Sequence, residues 1–163
     1  MSRRLRVLVV AFAAVSALLV APATAAADIT AFLGLGTKPA TRAARGLAFG
    51  VGLLVVGFEG EYSDVSEDTA KNAPHVRTGM INALVQTPTS GAQVYATAGG
   101  GVYRESFKNG PQETNTGLNL GGGIKLGLVG PLKLRLDYRI FKLRGDAVHK
   151  TIQRVYVGLS AGL

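Results

Sequence analysis

Glu59 and Glu61 stand one residue apart in "GFEGEYS", 57–63. On an extended chain two carboxylates at that spacing share one face. Such a pair is the equipment of glycoside hydrolysis. A second charged set suggests another use. "KLRLDYRIF", 133–141, alternates Lys133, Arg135, Asp137 and Arg139 with Leu134, Leu136, Tyr138 and Ile140. Arg104, Lys125 and Arg154 are assigned to the charged faces of their own segments. An isolated charge away from water is very costly, so buried charges must pair. Pairing is the more economical use of Glu59 and Glu61 among so many cations. Together the nine residues are expected to form one buried ion-pair network, with no catalytic residue.

Other chemistry is poorly supplied. His75 and His149 fall in polar connecting segments without Cys or acidic companions at ligand spacing, so no metal site is expected. "HKT", 149–151, resembles the His-x-Ser of a lipid A deacylase, but Thr151 replaces the serine and no acid partner follows. The runs of three glycines at 99–101 and 121–123 are followed by no Gly-Lys-Ser/Thr, so they are not phosphate loops. The chain has no cysteine, which excludes disulfides and thiol chemistry. No cofactor is expected.

The elements that must position these charges begin after a leader. "MSRRLR" is followed by the apolar run 7–20 and by "APATAAAD". A basic start, a short apolar stretch and an A-x-A site have the form of a secretory signal peptide. Cleavage fits after Ala25 or Ala27; Ala27 is taken, giving a leader over 1–27 and one domain over 28–163. Three of the 18 basic residues lie in the leader and none of the 10 acidic ones, which leaves a net +5. That modest charge does not argue for nucleic acid. All 22 glycines lie beyond the leader, a density hostile to helices.

Alternation predicts eight strands: 28–36, 46–53, 56–64, 76–86, 93–105, 116–128, 133–141 and 151–163. The facing of 76–86 is not assigned, because both its faces are mixed. Short connections at 54–55, 87–92 and 129–131 alternate with longer polar ones at 37–45, 65–75, 106–115 and 143–150. A single helical turn is expected within "PATRAAR", 39–45. Strands of about 9–11 residues, with short turns on one side and long loops on the other, are the plan of a transmembrane barrel. Its apolar residues would face lipid and its charges the lumen, the reverse of a soluble lipocalin-like barrel. Tyr95 and Tyr103, eight residues apart, are expected in the two aromatic girdles, which turns Arg104 inward.

Taken together, "GFEGEYS", "YATAGGGVYRE" (95–105), "LNLGGGIK" (118–125), "GPLKLRLDYRIF" (130–141) and the terminal "YVGLSAGL" resemble the OmpA/OmpX-type eight-stranded outer-membrane β-barrel family over 28–163. The resemblance implies an all-β, antiparallel up-and-down barrel in the bacterial outer membrane. It implies a C-terminal signal at Tyr156, Gly158, Ala161 and Leu163 for the barrel-assembly machinery, with Leu163 where the family carries an aromatic residue. Partners are then outer-membrane lipids, that machinery and unidentified loop ligands. The expected role is structural or surface contact, with the lumen filled by side chains. The alternatives are a narrow anion channel and, further off, a lipid-modifying enzyme.

A membrane barrel stays folded in detergent and migrates anomalously on an unboiled gel. The protein is expected to do so and to sediment with membranes; recovery as a monomer from a detergent-free periplasmic extract would contradict the reading.

Overall fold

A computed structural model describes residues 26–38, 40–88, 91–107 and 112–163. Residues 1–25 of the expected leader 1–27 lie outside them, and its last two, Ala26 and Ala27, begin the first strand. Eight strands follow in order: β1 Ala26–Lys38, β2 Arg42–Leu53, β3 Val56–Val65, β4 His75–Gln86, β5 Ala92–Ser106, β6 Gln112–Gly127, β7 Leu132–Leu143 and β8 Thr151–Gly162. Each pairs antiparallel with the next, and β8 returns to β1 to close the barrel. Ala31 illustrates the closure, opposite Leu47 of β2 on one side and Leu159 of β8 on the other. Closure satisfies the backbone of every strand without leaving an edge.

Both described ends of the chain lie at the end of the barrel that carries the tight connections β2–β3, β4–β5 and β6–β7. That is the turn end; the other is the loop end. At the loop end the strands run further than the apolar alternation indicated. β2 begins at Arg42, so the helical turn expected in 39–45 is replaced by strand; Pro39 lies outside the described residues. β6 begins at Gln112 within the expected loop 106–115. The physical reason is that a closed sheet keeps its ladder past the apolar belt, where both faces can be polar and the alternation fades.

The facing is inside out relative to a water-soluble protein. Leu33 is 67% exposed on the outer wall, Leu120 64% and Ile81 73%. Apolar side chains of this kind recur on every strand and girdle the barrel. A water-soluble monomer rarely exposes a contiguous apolar patch beyond a few hundred Å². The interior, by contrast, holds Arg135, Arg139, Arg154, Glu59, Glu61 and Asp137, all buried. β4, left unassigned by pattern, turns Val76, Thr78, Met80, Asn82 and Leu84 inward and Arg77, Ile81, Ala83 and Val85 outward. Both faces mix polar and apolar residues, which is why alternation could not decide it.

Small inward residues make the lumen wide enough for the large ones. Inward-facing β2 carries Ala44, Gly46, Ala48, Gly50 and Gly52. Gly46 illustrates the constraint. A Cβ there would lie 2.9 Å from Cε1 of Phe32 and would collide with the Tyr62 carbonyl oxygen. Phe32 is stacked on Tyr156 with ring centroids 4.1 Å apart, so it has nowhere to retreat. Gly60, on the outer wall of β3, would bring a Cβ within 4 Å of nothing. Gly46→Val is therefore expected to cost at least about 1–3 kcal/mol by overpacking, and Gly60→Val to leave stability unchanged. Urea midpoints of the protein refolded into lipid vesicles test the contrast; equal midpoints would contradict the packing argument.

Candidate functional site: the charged lumen

β3 and β7 are four strands apart either way round the ring, so their inward side chains meet across its diameter. Glu59 and Glu61 extend from β3; Arg135, Asp137 and Arg139 extend from β7 at matching heights. Glu59 accepts from Arg135 through one carboxylate oxygen and from Arg139 Nη2 at 2.7 Å through the other. Glu61 bridges Arg139 Nη1 at 3.1 Å and Arg154 Nη2 of β8 at 2.6 Å. Asp137 accepts from Arg139 Nε at 3.0 Å and from Arg135 Nη2 at 3.2 Å. Three arginines thus face three carboxylates, all of them fully or almost fully buried.

Aromatic side chains complete the cluster. The Tyr95 hydroxyl donates to Asp137 and accepts from Arg135 Nε at 2.7 Å. The Arg154 guanidinium lies 4.9 Å from the Phe32 ring, 4.8 Å from Phe141 and 5.2 Å from Tyr156, within cation–π range of each. Asn119 donates to Asn82 at 2.7 Å, and Asn82 reaches Glu59 at 3.4 Å.

The lumen is layered about this cluster. Toward the turn end Lys125 pairs with Asp28, beside a cavity of about 60 Å³ lined in part by Gln86, Gln93 and half-buried Lys133. Toward the loop end an apolar layer of Val65, Val76, Met80, Tyr103, Phe141 and Ile152 covers the charges. The void left there is about 10 Å³, too small for more than one water. Loops pack down over this layer. Arg42 donates to Ser66 O at 3.1 Å and to Pro74 O. The backbone N–H of Val148 donates to Glu105 at 3.0 Å, and Ala147 is buried among the apolar residues.

Of the nine residues assigned to the lumen, Glu59, Glu61, Arg135, Asp137, Arg139 and Arg154 converge in the central cluster, and Lys125 and Lys133 lie nearer the turn end. Arg104 does not join them: it is exposed on the outer wall, where its Nε donates to Thr114 at 3.2 Å. Correspondingly Tyr95 and Tyr103 face inward, 3% and 1% exposed, rather than forming girdles. The reason is that each hydroxyl has a partner inside, Asp137 for Tyr95 and the Arg144 carbonyl for Tyr103. A signal was available in Glu105, which shares their face and would have been turned to lipid with them. Tyr95, Asn82, Asn119 and Asp28 were not singled out from the sequence, since a Tyr, an Asn or a lone Asp on a mixed strand has no distinctive spacing.

The proposed assembly-signal residues divide between the faces. Tyr156 and Gly158 are buried on the lumen side, and Ala161 and Leu163 lie on the other parity of the chain. His149 sits in the β7–β8 connection, its Nε2 3.2 Å from the Asn72 carbonyl oxygen. Among the described residues no group of three His, Cys, Asp or Glu side chains is placed to hold a metal ion.

An outward apolar belt around a closed eight-stranded lumen of paired charges is the architecture of small outer-membrane β-barrels, and it is the fold this chain adopts. Solved structures carry the same fold. The N-terminal β-barrel domain of Pseudomonas aeruginosa OprF superposes with a TM-score of 0.67 at 17% identity, over 85% of this chain and 97% of that one. Neisserial surface protein A gives 0.64 at 15% identity, over 84% and 94%. The outer membrane enzyme PagL gives 0.55 at 12% identity, over 82% and 98%. No family model matches the chain, and no curated protein matches it.

Removing one member of a buried charge pair leaves the other uncompensated. Glu59→Gln takes one carboxylate from both Arg135 and Arg139, leaving three buried arginines against two carboxylates, and is expected to cost about 3–5 kcal/mol. Arg104→Gln, on the outer wall, is expected to change stability by no more than about 0.5 kcal/mol. Urea midpoints in vesicles, followed by far-ultraviolet circular dichroism, measure both; an unshifted midpoint for Glu59→Gln would refute the cluster's structural importance.

Proposed function

We propose that this chain is a small protein of the bacterial outer membrane, exported through a cleaved leader, whose barrel is closed by its own side chains. Its role on this reading is structural: it holds short loops at the cell surface for envelope integrity or contact, and it is not an enzyme. The single observation that carries the reading is the filled lumen. A charge-balanced cluster spans the diameter, and the void above it is about 10 Å³. A conducting pore needs sites an ion can enter and leave; here each central carboxylate is already held by two arginines or more.

The outward belt supports hydrocarbon as the surrounding solvent. The asymmetric connections support the turn end as periplasmic and the loop end as external. The final strand would be the segment met by the barrel-assembly machinery. PagL is an enzyme on a similar fold, but a shared fold carries no activity by itself. The paired state of Glu59 and Glu61 supports the non-catalytic reading, because each carboxylate is already engaged by two buried arginines.

In planar bilayers the protein is expected to insert without unitary conductance steps. Reproducible anion-selective steps would replace this reading with the channel. Lipid A from cells with and without the protein should give the same mass spectrum; a deacylated species would establish the enzyme instead.

A further inference from the structure

The two rims of the outer wall differ. At the turn end the wall presents Leu53, Leu54, Val56, Leu128, Val129 and Leu132, with no basic side chain pointing outward among the described residues. At the loop end the apolar run of four successive strands stops at a charge. Arg45, Asp64, Arg77 and Arg104 lie directly opposite one another in register across β2, β3, β4 and β5. The row carries three cations and one anion, a net +2.

Arg77 and Arg104 are each hydrogen-bonded through Nε, and Arg45 is ion-paired through the same atom. Arg77 Nε donates to Asp64 at 3.2 Å, Arg45 Nε stands 3.8 Å from the other Asp64 oxygen, and Arg104 Nε donates to Thr114 at 3.2 Å. Anchoring through Nε fixes the plane of a guanidinium and leaves its two terminal amino groups for another acceptor. The side chains of Arg45 and Arg77 remain 76% and 53% exposed.

Below this row the outer wall is hollowed. A groove of about 780 Å³ runs from Leu134 and Leu159 past Ala31 and Leu33 to Arg45 and Arg77. A second, of about 490 Å³, passes over Gly60 and Gly79 toward Ile81. Both are bounded by the cross-strand pair Leu47–Tyr62, which forms a ridge between them. The glycine floor is not imposed by packing within the chain. A Cβ at Gly60 would meet nothing within 4 Å, and one at Gly79 only Val102 Cγ2 at 3.8 Å. Glycine inside a strand weakens it and often marks a close approach by something else.

We propose that this face binds one phosphate-bearing lipid of the loop-side leaflet, with its phosphate on Arg45 and Arg77, which line the first groove, and its acyl chains in the two grooves flanking the Leu47–Tyr62 ridge. The proposal rests on the reading of the chain as a membrane barrel. Forked guanidinium groups match phosphate oxygens in geometry and charge. Moving an acyl chain from bulk lipid into a groove exchanges hydrocarbon for hydrocarbon and gains little. Preference among lipids therefore comes from the headgroup, while the grooves fix where the lipid lies.

The test uses the protein expressed from the full-length sequence and extracted in dodecyl maltoside. Native mass spectrometry titrates it with dipalmitoyl phosphatidic acid and with phosphatidylcholine of the same chains. The wild type is expected to prefer phosphatidic acid. Near a membrane surface each arginine is worth about 1 kcal/mol, so the R45Q/R77Q double variant should lose about thirty-fold in that preference. G60L/G79L, which fills the second groove, should weaken both lipids and leave their ratio unchanged. An equal preference in wild type and R45Q/R77Q would overturn the proposal, as would displacement of the lipid by millimolar inorganic phosphate. Unboiled gel mobility separates the failures. A variant that keeps the folded band yet binds both lipids as the wild type does overturns the lipid site alone. A wild type with no folded band, and no sedimentation with membranes, overturns the membrane barrel and this site with it.

Discussion

The rest of the structure depends on a charge balance struck across the diameter of the lumen. Eight strands enclose a space that side chains just fill. With an apolar belt covering the outer wall, the large polar residues have mainly that space to occupy. A guanidinium there is stable only when opposite charge stands beside it. Arg135, Arg139 and Arg154 meet Glu59, Glu61 and Asp137, three against three. The ladders between neighbouring strands hold the wall as a ring. The side-chain bridges from β3 to β7 and β8 hold opposite walls at a fixed separation. Small residues on β2 and β6, the strands beside β3 and β7, leave the room these long side chains need.

Layering strengthens the balance. The apolar residues above the cluster, from Val65 and Val76 to Phe141 and Ile152, keep water from the loop-end side. Excluding water lowers the local dielectric and makes each Arg–carboxylate contact count for more. It also makes a missing partner more damaging. Loops are part of this seal: Ala147 from the β7–β8 connection is buried among the apolar residues, and Arg42 ties the β3–β4 connection to the mouth. The loop end is thus a packed lid, whereas the turn end opens into the polar cavity around Lys125 and Lys133.

Much of this was legible in the sequence because a strand's period is short and the two solvents differ sharply. "KLRLDYRIF" alone gives β7 its faces, and its Arg-x-Asp-x-Arg finds its complement in Glu59-x-Glu61 on a strand of matching height. The strand count and the alternation of short and long connections followed from the same period. What failed did so for identifiable reasons. Tyrosine is amphipathic, so Tyr95 and Tyr103 suit a membrane interface and a wet lumen equally; only their hydroxyl partners, which are non-local, decide it. Arg104 was carried to the wrong face with them. β4 was ambiguous because Thr78 and Asn82 serve the lumen while Arg77 lies above the belt. Strand ends at Arg42 and Gln112 were hidden because alternation needs two unlike solvents, and beyond the belt there is one.

Glycine shows how one residue type answers two different solvents in the same sheet. Inside the barrel the neighbours are protein and cannot leave. At Gly46 the Tyr62 carbonyl oxygen and the Phe32 ring already occupy the space a side chain would take, and Phe32 is held in turn by Tyr156 and Arg154. Glycine there is a requirement of the cluster. Outside, on the membrane reading, the neighbours are lipid and can flow into any hollow, so a missing side chain leaves no empty cavity and none of the cost a cavity carries in a protein core. Gly60 and Gly79 can therefore hollow the outer wall at little expense to stability. The same absence of a Cβ is a packing constraint on one face and free shape on the other, which leaves the outer wall open to take the form of what surrounds it while the interior stays fixed.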